Sequence, residues 1–406
     1  MKLAFVDNLP VGGGLSRFSL LLCKGLVENF PSLLVDYYIH CENLKHIPEI
    51  NSIDSRVNVR VLESTRSKKG LSGLSRKVLA KAGLVDNQKD GTMEEMVKKI
   101  DSRYDLAYFP SAHMMKRPDL NIPVVGTLHD FNWKYFFGRQ IFSSSFVEMM
   151  DAEILNWMNK GLNICSSHDV VDEAKKLYPG VKAFPIVVPI APVVFNTGMS
   201  GERADLILKE LKIDFPYIIF PGNFYPHKNH LNLFTAFSLF RQKKGFESYK
   251  LILTGMNSEQ VKKGIAGPRG VEVLTPNSTR KEFDIIGMGY QSNEVIDALI
   301  SKASLLVSPS IYEAICTPAM DAWNFGTPTA ISDIPPFREH EKTWGIRSAF
   351  FDPMNPQNIA DVMADYLGSY EKAREDGRIS RENMLAYTWK HVAEGYMNVF
   401  KNAISG

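Results

Sequence analysis

The sequence predicts an α/β protein made of two Rossmann-like parallel-sheet lobes, and three observations carry that expectation. Short β-branched runs alternate with longer amphipathic stretches almost from end to end, the pattern of strand–helix–strand units in parallel sheets. The alternation occurs twice, once on either side of a proline-rich stretch. A length of 406 residues also exceeds what a single hydrophobic core usually serves. With 45% apolar and 23% charged residues, the composition is that of an ordinary globular protein with ample side chain to bury.

In chain order, LAFV, VDYYI, VNVRVL, DLAYF and PVVGTL read as strands of the first lobe, with helical stretches at 15–28, 92–100 and 143–160. PIVVPIAPVVFNTGMSGE, residues 185–202, holds three prolines followed by a polar Gly/Ser segment, which suits a linker. The boundary is expected near residue 197, giving domains 1–197 and 198–388. YIIFPG, KLILTG, DIIGMG, SLLVSPS and TPTAIS read as strands of the second lobe, with amphipathic stretches near 229–244, 292–302 and 318–325. In the tail, Val392, Tyr396, Met397 and Phe400 share one helical face, so a terminal helix over about 389–406 is expected to pack on one of the lobes.

Charge and cysteine usage narrow the function classes. Lys plus Arg number 47 and Asp plus Glu 45, so no whole-chain attraction to nucleic acid is expected. The opening MKLAFVDNLPVGGG has too short an apolar run for a signal peptide, and no stretch reaches the ~18 apolar residues of a spanning helix, so a cytoplasmic protein is expected. Cys23, Cys41, Cys165 and Cys316 lie far apart, with no CxxC pair and no zinc spacing, which reads as reduced thiols and no metal site. One stretch is locally basic: RSKKGLSGLSRKVLAKAG, residues 66–83, carries six basic residues and no acidic one, with Leu71, Leu74, Val78 and Ala82 at helical spacing. It suits either a surface that meets anionic lipid or a plain solvated helix face.

The chemistry concentrates in SPSIYEAICTPAMDAWNFGTPTAIS, residues 308–332, where Glu313 and Asp321 stand eight positions apart. SLLVSPS is a strand ending in small polar residues, and ligands of open α/β sheets gather at the carboxyl ends of strands. Pro318 suits the first turn of a helix and Gly326 its stop, so a helix over about 318–325 is expected. The free N–H groups of Ile315, Cys316 and Thr317 near its amino end form a seat for an anion, and a diphosphate fits it. A ligand with hydroxyls at both ends and phosphates between would satisfy the acids as well: sugar hydroxyls on Glu313, ribose hydroxyls on Asp321. The structural alternative is a loop cap at Glu313 and a helix-dipole residue at Asp321. In YIIFPGNFYPHKNHLNLF, residues 217–234, a strand is followed by the Gly222–Asn223 turn, Lys228 and a helix from Asn229. That can place an ammonium where charge builds on a departing diphosphate, whereas a lone lysine by itself reads as a surface charge.

These residues resemble the retaining glycosyltransferases of the GT-B fold, family 4. The carriers are PGNFYPHKN, then GYQSNEVIDALISKASLLVSPSIYEAICTPAMDAWNFGTPTAISDIPPFRE, which are similar to that family's loop lysine, its E-x7-E motif and the following G-T-P over roughly 215–340. GGGLSRF, TLHDF at 127–131 and NICSSHDV at 163–170 are loosely similar to the family's glycine loop, histidine and serine-bearing strand end, and YTWKHVAEGY to its closing helix. The resemblance implies two Rossmann-like domains facing a cleft, a terminal helix crossing back to the first, Glu313 on sugar hydroxyls, Lys228 on the diphosphate and Asp321 on the ribose. It implies that Gly13 and Gly14 let backbone approach the phosphates and that His129 lies by the transferred sugar, whereas by itself a histidine before Asp130 reads as a hydrogen-bonded structural pair. Tyr290, after Gly289, is a candidate to face the base, with core packing as the alternative. Three departures stand out: Asp321 is a methylene shorter than the family's second glutamate, Asn223 replaces a common arginine, and Ala314, Ile315 and Cys316 fill a loop often rich in glycine.

The implied reaction transfers a hexose to a hydroxyl acceptor, with entry on the face the nucleoside diphosphate leaves and the proton going to the leaving phosphate. No D-x-D motif occurs in the chain, so a metal-free reaction without cofactor is expected. GDP-mannose is the first donor expected and UDP- or dTDP-sugars the next, with a polysaccharide or lipid-linked glycan as acceptor. A nucleotide-sugar 2-epimerase and a non-catalytic two-lobed binding protein are the rival readings. A dehydrogenase is disfavoured because GGGLSRF does not complete G-x-G-x-x-G.

Overall fold

The strands are apolar on both faces, and that fixes the architecture: LAYF, YIIFP and LLVS are buried at every position, so each needs a layer of helices above and below. The computed structural model describes residues 1–7, 14–62, 103–135, 144–192, 199–263, 265–266, 272–274 and 284–406. The chain divides into two units: Met1–Phe131 with Ser145–Ala191 and Trp389–Gly406, and Asn132–Ser144 with Pro192–Thr388. The expected boundary at 197 and the stretches 66–83 and 92–100 lie outside the described residues.

The first unit is built on seven parallel strands: β1 (Lys2–Asp7), β2 (Leu34–His40), β3 (Val57–Leu62), β4 (Leu106–Phe109), β5 (Val124–Thr127), β6 (Asn163–Cys165) and β7 (Ile186–Val187), in spatial order β3-β2-β1-β4-β5-β6-β7. The order reverses at β1 and β4. β7 corrects the expected linker at 185–202, because Ile186 and Val187 between flanking prolines pair with Ile164 and Cys165 as the edge strand. Helix Gly14–Asn29 packs against helix Trp389–Ser405 closely enough that a Cβ on Gly25 would meet the Trp389 carbonyl at 2.8 Å. Val392, Tyr396, Met397 and Phe400 of the terminal helix are buried, and the Tyr396 hydroxyl lies 3.1 Å from Thr127 Oγ1.

The second unit holds β8 (Tyr217–Pro221), β9 (Lys250–Thr254), an antiparallel pair β10 (Ile265–Ala266) and β11 (Glu272–Leu274), then β12 (Ile285–Gly287), β13 (Leu305–Ser308), β14 (Thr329–Ser332) and β15 (Ala349–Phe351). Six of these form a parallel sheet in the order β12-β9-β8-β13-β14-β15, which reverses at β8 and β13. β15 and helices Pro335–Trp344, Pro356–Gly368 and Tyr370–Ala386 extend the second lobe beyond the elements expected from pattern. Helix Thr317–Phe325 ends at Gly326, whose φ of +75° is a left-handed stop open to glycine. Helix Tyr370–Ala386 braces that stop, since a Cβ on Gly377 would lie 2.2 Å from the Gly326 carbonyl oxygen.

Candidate functional site

The crevice at the carboxyl ends of β8 and β13 is the point where the second sheet's strand order reverses, and such switch points are where open α/β sheets bind ligands. After β8 the chain makes a short 3₁₀ turn, Pro226–Lys228, and Asn229 closes it at φ +58°, so the helix begins at His230, one residue later than expected. Asn229 Nδ2 then donates to the carbonyls of Pro309 at 3.0 Å and Pro353 at 2.7 Å, while the Ile311 N–H donates to the His227 carbonyl at 2.8 Å. The loops after β8 and β13 are thus bonded to each other, and the result is a pairing of two expected site residues. Lys228 Nζ lies 2.6 Å from Glu313 Oε1, with side-chain exposures of 21% and 7%.

Glu313 is followed directly by the start of helix Thr317–Phe325, with Cys316 at its N-cap and Pro318 in its first turn. Pro318 lacks an N–H that the helix start would leave unpaired, so it fits there without loss. The Cys316 thiol is buried 3.6 Å from Ser308 Oγ, and burial pushes it up to about 12, so it stays a thiol near neutral pH. Ser332 Oγ donates to the Ser308 carbonyl at 3.1 Å, tying β14 to the end of β13 beneath the loop. Ile315 and Thr317 are half-buried. Asp321 lies within the helix and is only 1% exposed, so any ribose it holds must be met at a nearly closed surface.

Asn223 is engaged: its Oδ1 accepts from the Met256 N–H at 2.9 Å, joining the loops after β8 and β9, and the Gly222 N–H donates to the Thr254 carbonyl at 2.9 Å. Tyr290, by contrast, is 70% exposed at the end of β12, where Gly289 bonds through its N–H to Ser258 Oγ at 2.8 Å. His230 is buried with its ring stacked 3.9 Å from Phe224, and burial pushes it down to about 3. His227 is also buried and lowered by burial.

In the first unit, His129 follows β5 and is held by the Pro110 carbonyl, 2.7 Å from its Nε2, which places the ring proton on that nitrogen. Phe18 packs edge-on at 5.0 Å, and burial pushes the imidazole down to about 4, so it is a neutral hydrogen-bonding group at pH 7. Asp7 ends β1, takes a 2.9 Å bond from the Tyr37 hydroxyl and is pushed up to about 6 by burial. Gly14 is the first residue of helix Gly14–Asn29, while Gly13 lies outside the described residues. Ser167 caps helix His168–Leu177 by accepting from the Val170 N–H at 3.3 Å.

Of the expected residues, then, Lys228, Glu313 and Ile315 to Thr317 converge at one switch point, Asn223 is turned to the β9 loop, and His129 and Gly14 belong to the first unit. Asn229 is a site-building residue that its sequence context barely marks. Its one signal is that asparagine, after glycine, best tolerates a left-handed turn ahead of a helix. Among the described residues no helix is long and apolar enough to cross a membrane, and no three His, Cys, Asp or Glu side chains are grouped to hold a metal ion.

Residues 205–382 match the family model described as Glycosyl transferases group 1. The serotype-specific mannosyltransferase WbdA of Escherichia coli is 26% identical over 217 residues, 53% of this chain. That match spans 24% of WbdA, so the chain covers about a quarter of this curated relative. Among solved structures, HepE of Anabaena in complex with UDP and glucose aligns at a TM-score of 0.66 with 16% identity, over 99% of this chain and 100% of that one. Sucrose-phosphate synthase of Thermosynechococcus elongatus aligns at 0.68 with 16% identity, over 100% of this chain and 99% of that one. At such identities the likeness is one of fold, the two-domain GT-B arrangement of parallel α/β sheets.

Proposed function

The chain belongs to the group 1 glycosyltransferases on a GT-B fold, and from that premise we propose that it transfers a hexose from a nucleotide-sugar to a hydroxyl acceptor with retention of configuration, using GDP-mannose as donor. The carrying observation is the Lys228–Glu313 pair at 2.6 Å, set at the switch point and followed by the amino end of helix Thr317–Phe325. Lys228 and the amides of Ile315 to Thr317 take the diphosphate and offset the charge that grows on it as the glycosidic bond breaks. Glu313 accepts from the sugar hydroxyls. Asp321 serves the ribose, and the exposed ring of Tyr290 offers a face to the base. His129, neutral and oriented by Pro110, hydrogen-bonds the sugar and transfers no proton. The acceptor hydroxyl enters on the leaving-group face and gives its proton to the departing phosphate.

The mannosyl assignment is supported by the likeness to WbdA, a mannosyltransferase by name. The acceptor is a polysaccharide or lipid-linked glycan, and the six basic side chains of residues 66–83 suit either a peripheral contact with anionic lipid or a solvated face. The test is a donor screen. Purified protein is incubated with GDP-mannose, UDP-glucose and dTDP-linked sugars, nucleoside diphosphate release is measured, and thermal shifts report binding. GDP-mannose should give the fastest slow hydrolysis and the largest shift. Turnover of a UDP- or dTDP-sugar alone would reassign the donor, and inertness toward all three would refute the transferase site.

A further inference from the structure

We propose that the Glu313 carboxylate competes internally for the Lys228 ammonium, so that the site holds an intact nucleotide-sugar in preference to the bare nucleoside diphosphate that remains after transfer. This rests on the reading above of Lys228 as the diphosphate cation. The pair is built into the scaffold, because its two loops are bonded through Asn229 to Pro309 and Pro353 and through Ile311 to His227. Nor is it an ordinary surface bridge, whose partners water can replace: the Glu313 side chain is 7% exposed and that of Lys228 21%.

Before a diphosphate oxygen can take hydrogen bonds from Lys228 Nζ, the ammonium must give up some or all of its 2.6 Å contact with Glu313 Oε1. Water reaches so little of the carboxylate that it cannot replace what is lost, and a buried carboxylate deprived of its cation is costly. An intact donor solves this within one molecule. Its phosphates draw the ammonium away, while its sugar hydroxyls donate to the carboxylate thus exposed. A free nucleoside diphosphate draws the same ammonium and offers the carboxylate nothing. The pair therefore weakens retention of the product and leaves the donor's affinity largely intact, which favours release after each turnover.

The experiment is a double-mutant cycle read by calorimetric binding of GDP, UDP and inorganic pyrophosphate to wild type, Glu313→Gln, Lys228→Met and the double variant, with thermal unfolding to establish that each is folded. Glu313→Gln frees the ammonium and should tighten diphosphate binding about tenfold, and in the Lys228→Met background the same change should give less than about twofold. An unchanged or weaker affinity in Glu313→Gln overturns the competition. An equal gain in both backgrounds also overturns it, because removal of a negative charge from the neighbourhood would then explain the effect without any contest for Lys228. Failure of the underlying site assignment looks different: Lys228→Met would leave the affinity for all three probes untouched.

Discussion

The two units hold their polar groups at the strand ends in opposite electrical states. In the second, Lys228 and Glu313 face each other as an ion pair across the β8–β13 switch point. In the first, His129 is kept neutral by burial and aligned by a carbonyl. The contrast fits the proposed reading, in which a leaving diphosphate calls for positive charge with a partner to hold it in place beforehand, and the sugar hydroxyls meet one charged acceptor, Glu313, and one neutral group of set direction, His129. The second unit also confines three histidines, His227, His230 and His340, that burial keeps deprotonated.

The largest expected effect breaks the charged side. Glu313→Ala should lower kcat/KM by about 10³-fold in a donor-turnover assay while thermal unfolding stays cooperative, because it removes the acceptor for the sugar hydroxyls and the partner that positions Lys228. Lys228→Met should cost about 10²-fold in kcat/KM with the screened donor. Full activity in either variant would remove the charged side from the chemistry.

Acid should separate the units next. His340 is 2% exposed among Trp323, Phe337 and Trp344, and burial pushes it down to about 3 from 6.5. A group lowered in the folded state contributes stability that is complete above its unfolded value and is lost as the pH falls toward the folded one. His340 should therefore cost roughly 2 kcal/mol between pH 7 and pH 5. His340→Phe should recover about that amount at pH 5, read as a smaller drop in Tm. Asp7, raised to about 6, has the opposite sign: its contribution is complete below 3.8 and is lost as the pH rises through 6, so it partly offsets the acid loss in the first unit.

A smaller effect probes the brace behind the helix end. Gly377→Ala sets a Cβ against the Gly326 carbonyl and should lower stability by about 1–3 kcal/mol, with donor affinity following only as far as the helix shifts. The smallest tests the neutral side: His129→Asn should reduce kcat/KM about tenfold and leave GDP and UDP binding unchanged, because a neutral hydrogen bond is worth little more than that. A loss of nucleotide affinity in this variant would erase the distinction between the units.

Much of the second unit's site was legible because its signals are local. Pro318 and Gly326 bracket Thr317–Phe325 through backbone rules that act within one turn, and the apolar runs of β8 and β13 mark both strands. The first unit is less legible, because β7, a short edge strand between prolines, has the composition of a linker. A two-residue strand has too little periodicity to register until its neighbour is in place.

By itself, then, the sequence determined the alternating α/β pattern, the bounds of the helix behind Glu313 and the residue types offered to a nucleotide-sugar, all consequences of local sterics and of which side chains avoid water. Tertiary structure decided that Lys228 and Glu313, 85 residues apart, would share a hydrogen bond, that Asn223 would turn to Met256 and that Asp321 would be 1% exposed. The first depends on β8 lying beside β13 and the second on β9 lying beside β8, and strand adjacency is set by the packing of the whole sheet, which no local stretch of chain encodes.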